Sequence, residues 1–308
     1  MKIALLDRKT LSGDLDLSPL SELGDLVVYE TTASDEVLDR IVDAEVIVTN
    51  KVIIDRDLMK QAKKLKLICV AATGMNNIDL QAAKELGVEV KNVAGYSTKS
   101  VAQHTFAMLF ALIEQIPYYD RYTKDGGWSK NDIFTDLSRP FFEISGKEWG
   151  IIGLGAIGQE VAKIATTFGA NASYYSTSGQ NSDQPYPQKS LEDLLSSSDI
   201  ISIHAPLNSN TDNLLNAKNL PLLKDGAILL NLGRGGIINE NDLAVQMNSR
   251  EIYAALDVTK NEPIEPDNAL LYLKNPQRLL ITPHIAWASK ESRKKLLDGI
   301  VDNIKSWR

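Results

Sequence analysis

Gly150-Ile151-Ile152-Gly153-Leu154-Gly155-Ala156-Ile157-Gly158-Gln159-Glu160-Val161-Ala162 is the stretch whose reading decides the fold. An apolar run that reads as a strand passes into Gly-x-Gly-x-x-Gly and then into a helical pattern. Each glycine has its own task if the ligand is a dinucleotide. Gly153 permits the tight turn, Gly155 lets the backbone approach a pyrophosphate, and Gly158 lets the helix pack on the strand. The helix start at Ala156 and Ile157 offers unpaired N–H groups to the anion. A glycine turn of purely structural use is the competing reading, and the flanking strand and helix weigh against it.

Downstream, an acidic residue about 20 positions on would normally hold the ribose 2′-hydroxyl. The chain has Tyr174-Tyr175-Ser176-Thr177-Ser178 there, with no carboxylate. Nothing then repels a 2′-phosphate, and the hydroxyls of Ser176, Thr177 and Ser178 can bond it, yet no Arg or Lys occurs before Lys189 to neutralise it. The expected cofactor is NAD, with NADP also accepted.

Working outward, short Val- and Ile-rich runs alternate with amphipathic stretches, the pattern of βα units on parallel sheets. One series opens at Glu148, with strands expected at 149–154, 172–175, 200–204, 227–231, 252–255 and 279–281. Another occupies the first 95 or so residues, with strands expected at 2–6, 26–29, 46–49, 67–71 and 88–93. Helices are expected there at 34–44, where Ser34 and Asp35 suit an N-cap, and at 56–64. Residues 100–114 are apolar on more than one face, which calls for burial between domains or subunits. The polar stretch 118–145 reads as a connecting excursion, and 289–307 as an amphipathic helix.

Composition agrees with that division. With 44% hydrophobic residues, 308 residues suffice for two ordinary cores. A net charge of −7 and no basic block argue against a nucleic-acid partner. The single cysteine, Cys69, reads as a packed strand residue. It excludes an internal disulfide and a multi-cysteine metal site, which points to a reducing, cytoplasmic home. Residues 1–7 reach Asp7 too soon for a secretory signal, and 106–113 falls short of the roughly 18 apolar residues of a membrane span.

Acid–base chemistry near neutral pH has three candidate histidines, His104, His204 and His284. His104 lies in the apolar helix and reads as a packing or interface residue. His204, ahead of Ala205-Pro206-Leu207, lines a cofactor cleft or closes its strand. His284, in Thr282-Pro283-His284-Ile285-Ala286-Trp287, follows the last strand, at the edge where ligands gather in open α/β sheets. Asn231-Leu232-Gly233-Arg234-Gly235-Gly236 and Asp257-Val258-Thr259-Lys260-Asn261-Glu262-Pro263 end at the same edge. Glycines beside Arg234 suit close approach to an anion, although taken singly Arg234 reads more readily as a surface salt bridge and Glu262 as a solvated turn.

In their order and spacing these four pieces resemble the D-isomer-specific 2-hydroxyacid dehydrogenases, and the resemblance covers nearly the whole chain. Val70-Ala71-Ala72-Thr73-Gly74-Met75-Asn76-Asn77-Ile78-Asp79 and Asn92-Val93-Ala94-Gly95-Tyr96-Ser97-Thr98 look most like the glycerate dehydrogenase, or hydroxypyruvate reductase, branch. The resemblance implies two doubly wound parallel-sheet α/β domains. A Rossmann nucleotide domain (98–287) would be inserted into a flavodoxin-like substrate domain (1–97 and 288–308). It also implies a catalytic trio. Arg234 would clamp the substrate carboxylate by two parallel bonds. His284 would protonate the keto oxygen as hydride reaches C2, and Glu262 would hold the other ring nitrogen.

Main-chain N–H groups of Thr73, Gly74 and Met75 would join Arg234 and His284 on the substrate, and Asp257 would meet the nicotinamide amide. Gly153, Gly155, Ala156, Ile157, Gly158, Ser176, Thr177, His204, Ala205, Pro206, Thr211, Leu232, Gly233 and Ala286 would line the cofactor groove. A homodimer would form through the 101–116 helix and the excursion after it.

The leading expectation is reduction of hydroxypyruvate to D-glycerate, with glyoxylate, lactate or another D-2-hydroxyacid as rivals. A phosphorylated substrate is disfavoured because 70–79 holds no basic cluster, although Lys51, Lys91 and Lys99 can stand nearer in space than the sequence shows. A nucleotide-sensing corepressor without turnover is the alternative from another class.

Overall fold

A computed structural model describes residues 1–181 and 183–307. It separates into two compact units, Met1–Ser97 with Ala288–Arg308, and Thr98–Trp287.

In the first unit the chain runs β1 (Lys2–Leu5), α1 (Ser18–Ser21), β2 (Asp25–Val28), α2 (Val37–Ile41), β3 (Val46–Thr49), α3 (Arg56–Gln61), β4 (Leu67–Val70), α4 (Leu80–Leu86) and β5 (Glu89–Asn92). The strands form one parallel sheet in the order β2-β1-β3-β4-β5, the flavodoxin-like arrangement. All four residues of β3 and of β4 are buried, as strands covered on both faces require, whereas β2 and β5 at the edges are partly exposed. Cys69 is packed inside β4, and burial pushes its thiol up to about 12, so it is an inert structural residue.

At the switch point between β1 and β3 the buried Asp7 carboxylate accepts the backbone N–H groups of Asn50 and Lys51, the latter at 2.7 Å. That fixes the loop after β3. The loop after β4 is braced on both sides, by Asn77 Nδ2 donating to Val52 O at 2.9 Å and by Asn92 Nδ2 donating to Thr73 O at 2.6 Å.

The helix expected at 34–44 is confined to Val37–Ile41, and neither Ser34 nor Asp35 caps it. Glu36, the residue at the helix start, accepts the Ala33 N–H at 2.9 Å, a bond that lies ahead of the helix and leaves it without a side-chain cap. The helix expected at 56–64 stops at Gln61 and is capped by Asp55, which accepts from Leu58 N–H.

The C-terminal helix, Lys290–Trp307, belongs to this unit because Arg293 knots it to the N-terminal loop. The guanidinium bonds both carboxylate oxygens of Asp14, at 2.5 and 2.9 Å, and the carbonyls of Leu11 and Ala288. Those bonds hold the Asp14 carboxyl well below the usual carboxylate range. Lys91 also reaches the helix, at Ser306 Oγ, 3.0 Å.

The second unit runs α5 (Thr98–Ile113), α6 (Ile116–Lys124), β6 (Glu148–Ile152), α7 (Ala156–Thr167), β7 (Asn171–Tyr175), α8 (Leu191–Ser197), β8 (Ile200–Ile203), β9 (Ile228–Asn231), α9 (Glu240–Ser249), β10 (Tyr253–Leu256) and β11 (Leu279–Ile281). Its strands form a parallel sheet, β7-β6-β8-β9-β10-β11. A lone parallel bridge, Tyr174 to Gln188, stands outside β7. Counting it as a vestigial strand restores the Rossmann order, with the switch point between β6 and β8.

The apolar helix is buried differently from expectation. Val101, Ala102, Thr105, Phe106, Met108, Leu109, Leu112 and Ile113 of α5 are buried within the second unit itself, where α5 packs on α7 and on β9, β10 and β11. Its second apolar face is covered by Phe168, whose ring lies 5.8 Å from Phe106 and 5.5 Å from Phe110. Each large side chain buried this way contributes about 1.5–3 kcal/mol, so no outside partner is needed to account for the helix.

The stretch expected as an irregular excursion opens instead on α6. Pro117 suits its first turn. Tyr118 and Tyr122 stack at 6.1 Å, and the Arg139 guanidinium lies 3.4 Å from the Tyr118 ring. This helix is carried by aromatic spacing rather than an aliphatic stripe. Apolar side chains are left exposed at its start, Ile116, and beyond its end, at Trp128, Ile133, Leu137, Phe141 and, at 89% exposure, Phe134.

Candidate active site

The loop after β6 has the shape its glycines require. Gly153 sits at φ +91°, and a Cβ there would lie 2.9 Å from the Ala205 backbone. A Cβ on Gly158 would come within 2.3 Å of the Gly153 carbonyl oxygen, so α7 can approach the strand only with glycine at this position. A Cβ on Gly155 would meet nothing within 4 Å, which leaves that side of the loop open to a ligand. No side chain caps α7, so the N–H groups of Ala156, Ile157 and Gly158 are left for an anion.

Both flanks of Gly153 carry polar atoms with nothing in the chain to bond. Gly153 N–H bonds Tyr175 O, and the next residue, Ser176, has a buried Oγ with no hydrogen-bond partner among the described residues. On the other flank His204 N–H bonds Ile152 O, and both ring nitrogens of His204 are likewise buried and unpartnered, although part of the residue reaches the surface. Burial pushes this imidazole down to about 3, so it is neutral. Buried groups in this condition are costly unless a ligand supplies the missing bonds.

The Arg234 loop leaves β9 through an Asx turn. Buried Asn231 accepts Gly233 N–H at 3.1 Å and donates from Nδ2 to Arg234 O at 2.9 Å. A Cβ on Gly233 would lie 2.8 Å from Ala205 O, so Ala205 is gripped between Gly153 and Gly233. Leu232 is buried beside it. The Arg234 guanidinium donates to its neighbour's carbonyl at 2.8 Å and forms no ion pair among the described residues, which leaves its charge available. Thr211 stands behind Pro206. Its buried hydroxyl donates to Pro206 O and accepts from Asn208 N–H, so it shapes the loop from inside.

Gly235 joins this loop to the one carrying Glu262, for a Cβ on it would fall 1.9 Å from the Thr259 carbonyl carbon. Glu262 Oε1 accepts Thr259 N–H at 3.3 Å, and Glu240 at the start of α9 accepts Lys260 N–H at 2.6 Å. The other Glu262 oxygen, Oε2, meets His284 Nδ1 at 2.7 Å. That bond places the hydrogen on Nδ1 and turns Nε2 away, free to exchange a proton. Their side chains are 33% and 24% exposed, so the pair is screened but reachable.

His284 adopts the left-handed conformation, φ +54°, which a non-glycine residue keeps only where its surroundings over-determine it. They do so here. Thr282 N–H bonds Leu256 O at 2.9 Å, and His284 N–H is shared by Asp257 O and Thr282 O at 2.8 and 2.9 Å. Ile285 and Ala286 N–H donate to Asp257 Oδ1 and Oδ2, each at 2.9 Å, and Thr282 Oγ1 donates to Oδ1 at 2.6 Å. Pro283 has no N–H, so every backbone donor from Thr282 to Ala286 ends on the chain around Asp257. The Asp257 carboxylate, expected only as a nicotinamide contact, is 1% exposed and chiefly organises this segment.

The second unit therefore brings Arg234, Glu262 and His284 onto adjoining loops, with Ala205 held between Gly153 and Gly233 beside Arg234. Thr73, Gly74 and Met75 lie in the first unit, after β4, where their three backbone N–H groups donate to nothing in the chain among the described residues. The lysines noted beside that loop are mostly spent: Lys99 pairs with Glu160 at 2.6 Å, and Lys91 holds the C-terminal helix. Lys189 bonds Ser197 Oγ at 2.8 Å and lies 4.0 Å from the Glu148 carboxylate, which offsets its charge. Sequence reasoning missed Asn231, Glu240 and Thr282 as supports. Only the Asn-x-Gly spacing of the first carried a readable signal.

Residues 106–286, which contain all these loops of the second unit, match the D-isomer specific 2-hydroxyacid dehydrogenase, NAD binding domain. The chain belongs to that family. As a D-2-hydroxyacid dehydrogenase it is 40% identical to the hydroxypyruvate reductase of Blautia hydrogenotrophica, over 100% of this chain and 97% of that protein. It superposes on the D-lactate dehydrogenase of Aquifex aeolicus complexed with NAD and lactic acid with a TM-score of 0.84, at 26% identity over 100% of this chain and 95% of the other. The acyclic imino acid reductase Bsp5, in complex with NADPH and D-Arg, gives a TM-score of 0.88 at 29% identity over 100% and 97%.

The dehydrogenase is an oxidoreductase whose second unit is an NAD-binding domain. The open side of Gly155, the uncapped α7 and the unpartnered Ser176 and His204 fit a dinucleotide. Among the described residues no helix is long and apolar enough to cross a membrane.

Proposed function

We propose that this dehydrogenase reduces hydroxypyruvate to D-glycerate, accepts glyoxylate as a second substrate, and uses either NADH or NADPH. The observation that carries the chemistry is the 2.7 Å bond between His284 Nδ1 and Glu262 Oε2. The substrate reading leans on the hydroxypyruvate reductase relative. When bound, the reduced nicotinamide supplies a hydride to C2 of the keto acid. Gly153, Gly155, Ala156, Ile157 and Gly158 would hold its pyrophosphate, and Ser176 and Thr177 would hold the adenosine ribose. His204, Ala205, Pro206, Leu232, Gly233 and Ala286 would line the groove, and Asp257 would meet the amide.

The chain's own residues do the rest. Arg234, with no competing carboxylate, clamps the substrate carboxylate through paired N–H donors and polarises the neighbouring carbonyl. His284 Nε2 gives a proton to the keto oxygen and takes it back in the reverse direction, while Glu262 holds the ring in one tautomer. The three free N–H groups of Thr73–Met75 are donors suited to a carboxylate.

A panel of hydroxypyruvate, glyoxylate and pyruvate, each with NADH and NADPH and followed by nicotinamide absorbance, tests this. Hydroxypyruvate is expected to give the highest kcat/KM. With no carboxylate to repel the 2′-phosphate and no cation to attract it, the two cofactors are expected to lie within about tenfold of each other, roughly 1.4 kcal/mol. Absence of turnover with every acid would favour a nucleotide sensor, and a thousandfold preference for NADH would defeat the relaxed-cofactor reading.

We also infer a homodimer in the cytoplasm. The apolar residues exposed after α5, with Tyr119, Tyr122, Trp128, Phe134, Leu137 and Phe141 around a concavity of about 740 Å³, form the kind of patch that partners cover. Phe134→Glu combined with Leu137→Glu is expected to convert a dimer into a monomer in analytical ultracentrifugation. A parent chain that sediments as a monomer at all concentrations would remove this inference.

A further inference from the structure

Helix α5 carries two polar side chains that the chemistry above leaves unused, Ser100 and His104, four residues apart and so on one face. Both point at the segment that holds His284. Ser100 Oγ donates to Ala286 O at 2.6 Å, at the end of the segment. His104 Nε2 lies 3.1 Å from Thr282 Oγ1, at its beginning.

The direction of the second contact follows from its neighbours. Both Asp257 oxygens accept backbone N–H groups, so the Thr282 hydroxyl donates to Oδ1 at 2.6 Å; the sulfur of Met108, at 3.8 Å, is a far poorer acceptor. The hydroxyl lone pairs therefore face His104, whose Nε2 must carry the hydrogen. A one-way chain results, from His104 Nε2–H to Thr282 Oγ–H to Asp257 Oδ1, and it ends on the carboxylate that fixes the backbone on the C-terminal side of His284. Nε2 of His104 also lies 3.6 Å from that same oxygen.

We propose that His104 is a positioning residue for proton transfer: through Thr282 and Asp257 it holds the Thr282–Ala286 segment in the strained conformation that presents His284. It touches neither substrate nor cofactor. This rests on the proposed role of His284 as the acid, which a His284→Ala control tests separately.

The test compares His104→Met, which fills the space without a donor, with His104→Gln, whose Nε2 can replace the ring N–H, and with Thr282→Val. For His104→Met and Thr282→Val, kcat is expected to fall by about tenfold, because small displacements of a catalytic group are costly. KM for the keto acid and the cofactor should stay within about threefold. His104→Gln is expected to recover most of the loss, and the double variant to be no worse than Thr282→Val alone, since the two residues act in series. Parent kcat in both His104→Met and Thr282→Val, equal loss in the Met and Gln variants, or additive losses in the double variant would overturn the proposal. If His104→Met does not fold, Thr282→Val with and without His104→Gln decides it. A His284→Ala enzyme with near-parent turnover would instead remove the acid itself, leaving the chain with nothing to position.

Discussion

His284→Ala is expected to lower kcat by about 10²–10⁴, the usual cost of removing a positioned general acid, while the protein stays folded and still binds reduced cofactor. The loss should be this large because no other imidazole can substitute. The His204 ring nitrogens are sealed from solvent and the ring is neutral, and His104 is committed to Thr282. His284 has one ring nitrogen hydrogen-bonded to a carboxylate at 2.7 Å and the other free to exchange a proton. Glu262→Gln is expected to cost less, about ten- to a hundredfold, because the amide oxygen can still accept from Nδ1 but the charge that strengthens the bond is gone. Steady-state kinetics with hydroxypyruvate, alongside a fluorescence titration with NADH, checks both variants. Turnover near the parent rate in His284→Ala would mean the proton comes from elsewhere.

How much of this could be read from sequence depended on the range of the signal. The two sheets were legible because buried parallel strands are continuous apolar runs: Val46–Thr49 and Leu67–Val70 are buried at every residue. The glycine loop was legible because its spacing lies within six residues, although the approach of Gly153 to Ala205 was not. Helix α6 was not, since its cohesion comes from tyrosines stacked under Arg139, a partner 21 residues from Tyr118. The partner that satisfies α5 was also hidden: the sequence showed two apolar faces and could not say that Phe168 and three strands of the same unit would cover them.

Within the site, the residue types that react stood in recognisable motifs, whereas the residues that hold them did not. Thr282 and His104 are 178 positions apart, and nothing local distinguishes a hydroxyl that relays a bond from one that faces water. Asp257 was noticed for a ligand contact. Its larger task, tying down the four backbone donors from Thr282 to Ala286 through its side chain, its carbonyl and its neighbour Leu256, follows only from coordinates.

Gly235→Ala is the second change with a large expected effect, although it removes no reactive group. The added Cβ would meet the carbonyl carbon of Thr259 at 1.9 Å, its oxygen at 2.1 Å and Lys260 N at 2.3 Å. All three are backbone atoms, so no rotamer change relieves the overlap, and the two loops must part. Arg234 is the adjacent residue on one of them. Glu262 lies three residues beyond Thr259 on the other, where Lys260 is pinned to Glu240 and cannot yield freely. Parting the loops therefore pulls the guanidinium away from the Glu262–His284 pair. An expected loss of about a hundredfold in kcat/KM follows, with about 1–3 kcal/mol of stability from the strain. Gly236→Ala is the control one residue along, because its Cβ would meet only side-chain ends, those of Leu207 at 3.3 Å and Asp212 at 3.5 Å, and it should cost severalfold at most. Kinetics and thermal unfolding of the two variants side by side measure the difference. Equal behaviour of the pair would show that the close approach of Gly235 to Thr259 does not set the spacing on which catalysis depends.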